Sequence, residues 1–432
     1  MSTVRDQEVG AVDESAQAGE LREAMIVELR GMDAIRTDQV ADAFRVVGRE
    51  LFTPGAPLEA VYAATTGVIT KWDEHGVAIS SVSAPEIQAF MLEQAAIRPG
   101  MNVLEVGSGG YNAALIAELV GAGGTVVTVD IDPEVTDRAS SLLDAAGYSR
   151  VRVLLADAEH GVPEFAPFDR IIVTVSSWDI PPAWVDQLAD GGRIVVPLRM
   201  WGLTRSLALE RAGDRLVSRS AMICGFVKMQ GEGAHRGRLL LLRGTEIGLR
   251  FDDGGPGEAP HLLDGVLGTE RVEVWSGVTV GRLEPFYSLQ FWLATSLPGF
   301  CLLTADVNGG AGLVDPGNRW FNLATVDRDS FAYLVSRPSE NGIVEFGAHA
   351  FGPHAAVVAE ALAEQVRVWD RGQRRGPGPD FAVWPKDTPD EHLPHTSIID
   401  KRYSRVTISW PAAACAATGH EESPHYPANK GE

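Results

Sequence analysis

The sequence predicts an α/β protein: a Rossmann-like parallel sheet covered by helices on both faces, followed by a β-rich (α+β) extension. Three observations carry this expectation. Between residues 102 and 197, short β-rich runs alternate with helical stretches. The first of these runs ends in the glycine loop Gly107-Ser108-Gly109-Gly110. After about residue 230 the alternation stops, and strand-like runs follow one another with Gly, Pro and Asp turns between them.

In chain order, residues 1–19 are rich in Ala, Glu, Gln and Asp and read as a disordered lead-in. From 21 to 52 apolar residues recur at helical spacing (Met25, Leu29, Met32, then Val40, Phe44, Val47), so helices are expected across 20–90. The core, 91–230, has strand candidates at 101–106, 125–129, 151–155, 170–175 and 193–197. Helices are expected between them at 113–120, 133–146 and 182–188. The extension, 231–410, has strand-like runs at 238–243, 271–280, 286–294, 301–307, 320–326, 331–335 and 343–349, with a composition turn at 315–318. An amphipathic helix at 354–369, a basic Gly/Pro linker at 371–379 and a last strand at 405–410 complete it. Residues 411–432 read as a flexible tail.

Composition narrows the function. A chain of 432 residues suggests two or three domains, and 45% hydrophobic with 22% charged residues fits a globular protein with a sizeable core. A net charge of −21 without a Lys/Arg patch argues against nucleic acid. The charge is either a solubility feature or an acidic surface that attracts a basic peptide. Cys224, Cys301 and Cys415 are far apart, which is neither a disulfide framework nor a zinc site and suits a reducing cytoplasm. His75, His160 and His235 have no ligand spacing, so no metal is expected, and His420 and His425 fall in the tail. The acidic, polar first 20 residues are no secretory signal, and no run approaches the ~18 apolar residues of a membrane helix.

The glycine loop follows Val103-Leu104-Glu105-Val106 and opens a helix, where α/β folds bind ligands. A dinucleotide fingerprint would place a third glycine where Asn112 stands. Glu105, just before the first glycine, instead suits a methyltransferase, in which an acid there holds the ligand's ammonium, often through water. The next strand ends in Asp130, placed to accept ribose hydroxyls. The third ends in Leu155-Ala156-Asp157-Ala158, where an acid can meet an adenine amino group. The predicted class is therefore a class I S-adenosylmethionine methyltransferase domain.

Several stretches also resemble a known family. Arg49-Glu50-Leu51-Phe52-Thr53-Pro54, Ser81-Val82-Ser83-Ala84-Pro85 and the run from Pro99-Gly100-Met101 to Tyr111-Asn112-Ala113-Ala114-Leu115 are similar to signatures of protein-L-isoaspartate O-methyltransferases. So are Phe168-Asp169-Arg170-Ile171 and Asp190-Gly191-Gly192-Arg193-Ile194-Val195-Val196-Pro197. Three features depart from the family: the glycine loop is one residue shorter, and Glu86 and Gln88 stand where histidines are usual. The long extension resembles the subgroup encoded with lanthipeptide and related ribosomal-peptide pathways, including the FxLD type. That likeness implies methylation of an aspartate in a modified precursor peptide, leading to aspartimide and isoaspartate. It also implies S-adenosyl-L-methionine as cofactor, bound by Ser81, Val82, Ser83, Gln88, Glu105, Gly107, Ser108, Gly109, Gly110, Asp130, Ile131, Asp157 and Ala158, with Ser83 and Ser81 as catalytic residues.

A carboxylate is already ionised at neutral pH, so methyl transfer to it needs positioning rather than a general base. From the residues alone, Ser-x-Ser before Ala-Pro reads as a helix N-cap; the resemblance assigns Ser83 to the site. Trp178, Trp184 and Trp201 either flank a peptide at the cleft rim or pack in the core. The extension either docks the precursor at a sheet edge or acts as a stabilising cap or dimer surface. Repair of isoaspartate in damaged proteins and a non-catalytic binding module are the competing functions.

Overall fold

The computed structural model describes residues 2–257, 259–281, 284–305, 312–315, 322–339 and 342–411. Within these the chain forms two compact units, 2–198 with 204–234 and 199–203 with 235–411.

The first unit opens with α1 (Ser2–Gly31), α2 (Asp38–Val46) and the short α3 (Leu58–Val61). The lead-in expected to be disordered is thus helical from Ser2. Its Ala, Glu and Gln are strong helix formers even where few residues are apolar, and Ala18 is buried. The region expected to be all helical also contains a hairpin, β1 (Val68–Trp72) and β2 (Ala78–Val82). Its signal was present: two β-rich runs flank Asp73-Glu74-His75-Gly76, where Gly76 takes a φ of +76°. Asp73 Oδ1 closes the turn by accepting from the backbone N–H of His75 and Val77 at 2.9 and 2.8 Å.

After α4 (Pro85–Ala95) the βα alternation runs β3 (Asn102–Val106), α5 (Tyr111–Val120), β4 (Thr125–Asp130), α6 (Pro133–Ala145) and β5 (Arg152–Leu155). It continues through β6 (Phe168–Val173), α7 (Pro182–Asp186), β7 (Leu188–Met200), β8 (Leu203–Ala212) and β9 (Arg215–Ile223). The strand order is β9-β8-β7-β6-β3-β4-β5. Strand β3 is parallel to both β4 and β6, with β5 and β7 parallel beyond them. The chain leaves β3 on one side and returns on the other, so the carboxyl end of β3 is a topological switch point.

The second unit holds β10 (Arg238–Arg243), β11 (Ile247–Phe251), β12 (Val272–Val280), α8 (Ser288–Ser296), β13 (Phe300–Ala305), β14 (Leu323–Asp327), β15 (Ser330–Pro338) and β16 (Val344–Phe351). Then come α9 (Ala355–Gly372), β17 (Asp380–Pro385), β18 (Ser397–Asp400) and β19 (Ser404–Ser409). An antiparallel sheet in the order β10-β11-β13-β14-β15-β16-β12 encloses Ile247, Leu249, Leu303, Phe331 and Phe351. The run 286–294, expected to be a strand, is α8. Leu289, Phe291, Leu293 and Ala294 are all buried, and a short apolar run buried nearly all round does not reveal its period. Parts of several expectations lie outside the described residues: the end of the strand 301–307, the turn beyond Asp315, the start of the strand 320–326, and the tail with Cys415, His420 and His425.

Among the described residues no helix is long and apolar enough to cross a membrane, and no three His, Cys, Asp or Glu residues group as metal ligands.

Candidate active site

The glycine loop hangs from both neighbours of β3. Gly107 N–H donates to Val129 O of β4 at 2.8 Å, and Thr174, just past β6, donates from its hydroxyl to the Val106 and Gly107 carbonyls at 3.0 Å each. Gly107 has a φ of +96°, and a Cβ there would stand 2.6 Å from Thr174 Oγ1. A Cβ on Gly110 (φ +83°) would press on the Phe52 ring at 3.0 Å. These two glycines are therefore required by packing beneath the loop. Gly109 comes close to β2, its hypothetical Cβ 3.6 Å from the Ser81 carbonyl. Hairpin and loop thus meet.

Glu105 has no exposed surface. Its oxygens accept from Thr128 Oγ1 at 2.6 Å, across the Glu105–Thr128 register pair, and from Asn112 Nδ2 at 2.8 Å. Asn112, which broke the dinucleotide pattern, is thus a partner of the acid. Burial pushes the Glu105 carboxyl up to about 7, outweighing both hydrogen bonds. An ammonium placed beside it would restore the charged form. Next to it Ser108 is 1% exposed, and its Oγ is buried with no hydrogen-bond partner among the described residues. A buried hydroxyl left this way marks a place for a ligand or an ordered water.

At the end of β4, Asp130 accepts the Ser108 N–H at Oδ2 and the Asp132 N–H at Oδ1, both at 3.0 Å. Burial raises this carboxyl too. Two backbone donors fix its orientation and leave lone pairs for ribose hydroxyls. Ile131 beside it is 37% exposed, a large apolar side chain at the strand end.

Asp157 is held more tightly than the sequence indicated. It caps a 3₁₀ turn through Glu159 N at 3.0 Å, and its Oδ2 accepts Glu232 N at 2.9 Å. The segment after β9 therefore folds back over the end of β5. Gly231 (φ +71°) makes this possible, because a Cβ there would lie 2.2 Å from Asp157 Oδ2 and 2.6 Å from Ile131 Cδ1. The expected domain border at 230 cuts through this seat, and the first unit ends at Ala234. Trp184, read as a possible peptide platform, is fully buried and donates from Nε1 to the Ala158 carbonyl at 2.7 Å. It braces the strand end from below.

Arg49 opens the Arg49–Pro54 motif and has a role in the site beyond it. The guanidinium is fully buried and donates to the Val61 carbonyl at 2.8 Å, Val82 at 3.2 Å, Ser83 at 2.7 Å, and Gln88 Oε1 at 2.7 Å. It also lies 5.0 Å from the Tyr111 ring centroid, and burial pulls it down to about 10, so it stays charged at neutral pH. Arg49 thus sets the backbone of Ser83, which is half-buried. Gln88, expected to touch the cofactor, is 5% exposed and gives its carbonyl to Arg49 instead. The hairpin is clipped to α6 by Lys71, 2.7 Å from Asp132 and 2.6 Å from Glu134. Arg138 adds bonds to Thr70 Oγ1 and Ser80 Oγ at 3.1 and 3.3 Å.

The orphaned Ser108 hydroxyl, the backbone-held Asp130 and the buried Glu105 fit a nucleoside carrying a cationic amino-acid moiety. A parallel sheet with this loop at its switch point and acids at three successive strand ends defines a class I S-adenosylmethionine-dependent methyltransferase. Residues 20–233 match the family model described as protein-L-isoaspartate(D-aspartate) O-methyltransferase. The protein-L-isoaspartate O-methyltransferase of Hyperthermus butylicus is 38% identical over 223 residues, 49% of this chain and 90% of that one. That of Methanopyrus kandleri is 36% identical over 214 residues, 49% and 92%, and that of Ignicoccus hospitalis 41% over 180 residues, 41% and 82%. The chain belongs to the protein-L-isoaspartate O-methyltransferase family and is an S-adenosylmethionine-dependent O-methyltransferase.

Proposed function

We propose that this protein methylates the free carboxylate of isoaspartyl residues in polypeptides, as its relatives are named for doing, and that it works in the cytoplasm. The observation that carries this reading is Ser83: its backbone is fixed by Arg49, and it stands two residues past a carbonyl that lies against the glycine loop. S-adenosylmethionine, when bound, supplies an electrophilic methyl to the incoming carboxylate oxygen, the electrons of the broken C–S bond staying on sulfur. The carboxylate is ionised already, so no residue has to take a proton. Ser83 Oγ, with Ser81 beside it, donates a hydrogen bond that orients the carboxylate. Asp130 holds ribose hydroxyls, Glu105 pairs with the amino-acid ammonium, and Asp157 with Ala158 borders the adenine. Buried thiols at Cys224 and Cys301, the former pushed up to about 12, are compatible with a reducing compartment. The test is transfer of radiolabelled methyl to a synthetic isoaspartyl peptide and to its aspartyl twin. Labelling of the isoaspartyl peptide alone is expected, and equal or absent labelling of both rejects the reading.

One observation favours a second reading, methylation of an aspartate in a ribosomally made, modified precursor peptide, as in the FxLD-type subgroup. The aligned relatives account for about half of this chain, and the second unit has a core of its own beyond that region. A cyclised precursor carrying aspartate is the discriminating substrate: gain and then loss of one methyl on it, with generic isoaspartyl peptides ignored, would replace the first reading.

A further inference from the structure

We infer that the β10–β11 face of the second unit is a docking surface for an extended, acidic polypeptide segment, with Arg250 as the group that receives its carboxylate. Arg250 lies on β11, where Ile247, Leu249 and Phe251 point into the core and Gly248 and Arg250 point to the opposite face. Its Nε is buried without a hydrogen-bond partner, and its guanidinium forms no ion pair among the described residues. The carboxylates nearest in sequence are already engaged. Asp252 pairs with Arg199 at 2.7 Å, and Asp253 pairs with Lys401 at 3.0 Å while accepting the Trp201 N–H at 2.6 Å. A partly desolvated guanidinium with no ion pair among the described residues, its neighbour Asp252 being bonded to Arg199, is a net cost in a folded chain, and it is an unexpected surplus in a protein of net charge −21.

The neighbouring surface suits an extended chain. Leu239 and Leu241 of β10 are 56% and 50% exposed. They stand opposite Arg250 and Gly248 in the register, so all four share one face. Leu240 and Leu242 pack inward instead. Strand β10 is an edge strand, and among the described residues no further strand pairs with its outer side, the position at which an added strand would bind. The turn at Trp201 and Gly202 borders the site: a Cβ on Gly202 would meet Leu302 Cδ1 at 2.6 Å and Arg250 Nη2 at 3.3 Å. Exposed leucines beside an unpaired arginine call for apolar side chains next to a carboxylate.

This inference does not depend on which carboxylate is methylated. It is tested with the full-length protein and a fluorescent octapeptide of alternating Leu and Asp, read by anisotropy, against the same peptide with Asn for Asp. The Asp peptide should bind, Arg250→Gln should weaken it by about tenfold or more, and Leu239→Asp should weaken both peptides. The Asn peptide should bind the parent and Arg250→Gln alike. In chloride buffer without peptide, Arg250→Gln should melt no lower than the parent, because it removes an unpaired charge. Equal affinity of the parent for Asp and Asn peptides, a lower melting temperature of Arg250→Gln, or full competition by succinate would each overturn the inference.

Discussion

At Glu105, burial and ligand binding pull one proton in opposite directions. The folded, ligand-free carboxyl titrates near 7 against an ordinary 4.5, so folding favours its protonated form. Its contribution to stability is therefore present below pH 4.5 and is lost as pH rises through about 7. An ammonium beside it favours the charged form, so cofactor affinity should climb with pH up to about 7 and then level off. Calorimetry in buffers of different ionisation enthalpy should record proton release near pH 6.5, and Glu105→Gln should abolish it; unchanged release in the variant rules out the pairing. Asp130→Ala should weaken S-adenosylmethionine binding by about 1–3 kcal/mol, since ribose hydroxyls lose their acceptor and Ser108 N its anchor. The same affinity in a folded variant would move the ribose elsewhere. Ser83→Ala and Arg49→Lys should each lower turnover on the order of a hundredfold while leaving cofactor affinity near the parent value, because orientation of the acceptor is what both supply. Single-turnover rates at the parent level in Ser83→Ala would pass the role to Ser81.

Three elements outside the central sheet build the walls of the site. The hairpin β1–β2 is fixed to α6 through Lys71 and Arg138, α4 is locked to it through Arg49 and Gln88, and the segment after β9 is seated on Asp157 and Ile131. The last of these has little tolerance. Gly231→Ala adds a Cβ at a φ of +71° and within 2.6 Å of both Asp157 and Ile131. It should cost about 1–3 kcal/mol in urea unfolding and weaken cofactor binding as well. A variant of parental stability and affinity would show that the segment does not matter at the adenosine end. None of these contacts was legible beforehand. They join residues far apart in the chain, Arg49 and Gln88 by 39 positions and Asp157 and Glu232 by 75, and hydrophobic periodicity reports one element's buried face without its neighbour.

For the molecule as a whole, the net charge of −21 predicts a salt effect on the methyl acceptor. Isoaspartyl peptides flanked by lysine should show lower KM than glutamate-flanked ones at about 10 mM salt, with the gap closing as the Debye length shrinks toward 3 Å near 1 M. A gap that persists at high salt would point to specific contacts in place of the general field. The sequence by itself determined the alternating sheet, the glycine loop after Glu105, the acids at 105, 130 and 157, and the family. All of these rest on local pattern: period-two and period-3.6 burial, turn chemistry, and residues adjacent in the chain. Local pattern does not decide α8 or the helical lead-in, where a buried apolar run and an Ala-rich polar one each fit two states. Only the tertiary structure decided that Arg49 places Ser83, that Asn112 and Thr128 hold Glu105, that Asp157 anchors Glu232, and that Arg250 Nε is buried without a hydrogen-bond partner among the described residues. Partnership is a property of space: whether a charge is satisfied depends on which distant residues the fold brings within about 3 Å of it, and no spacing along the chain encodes that.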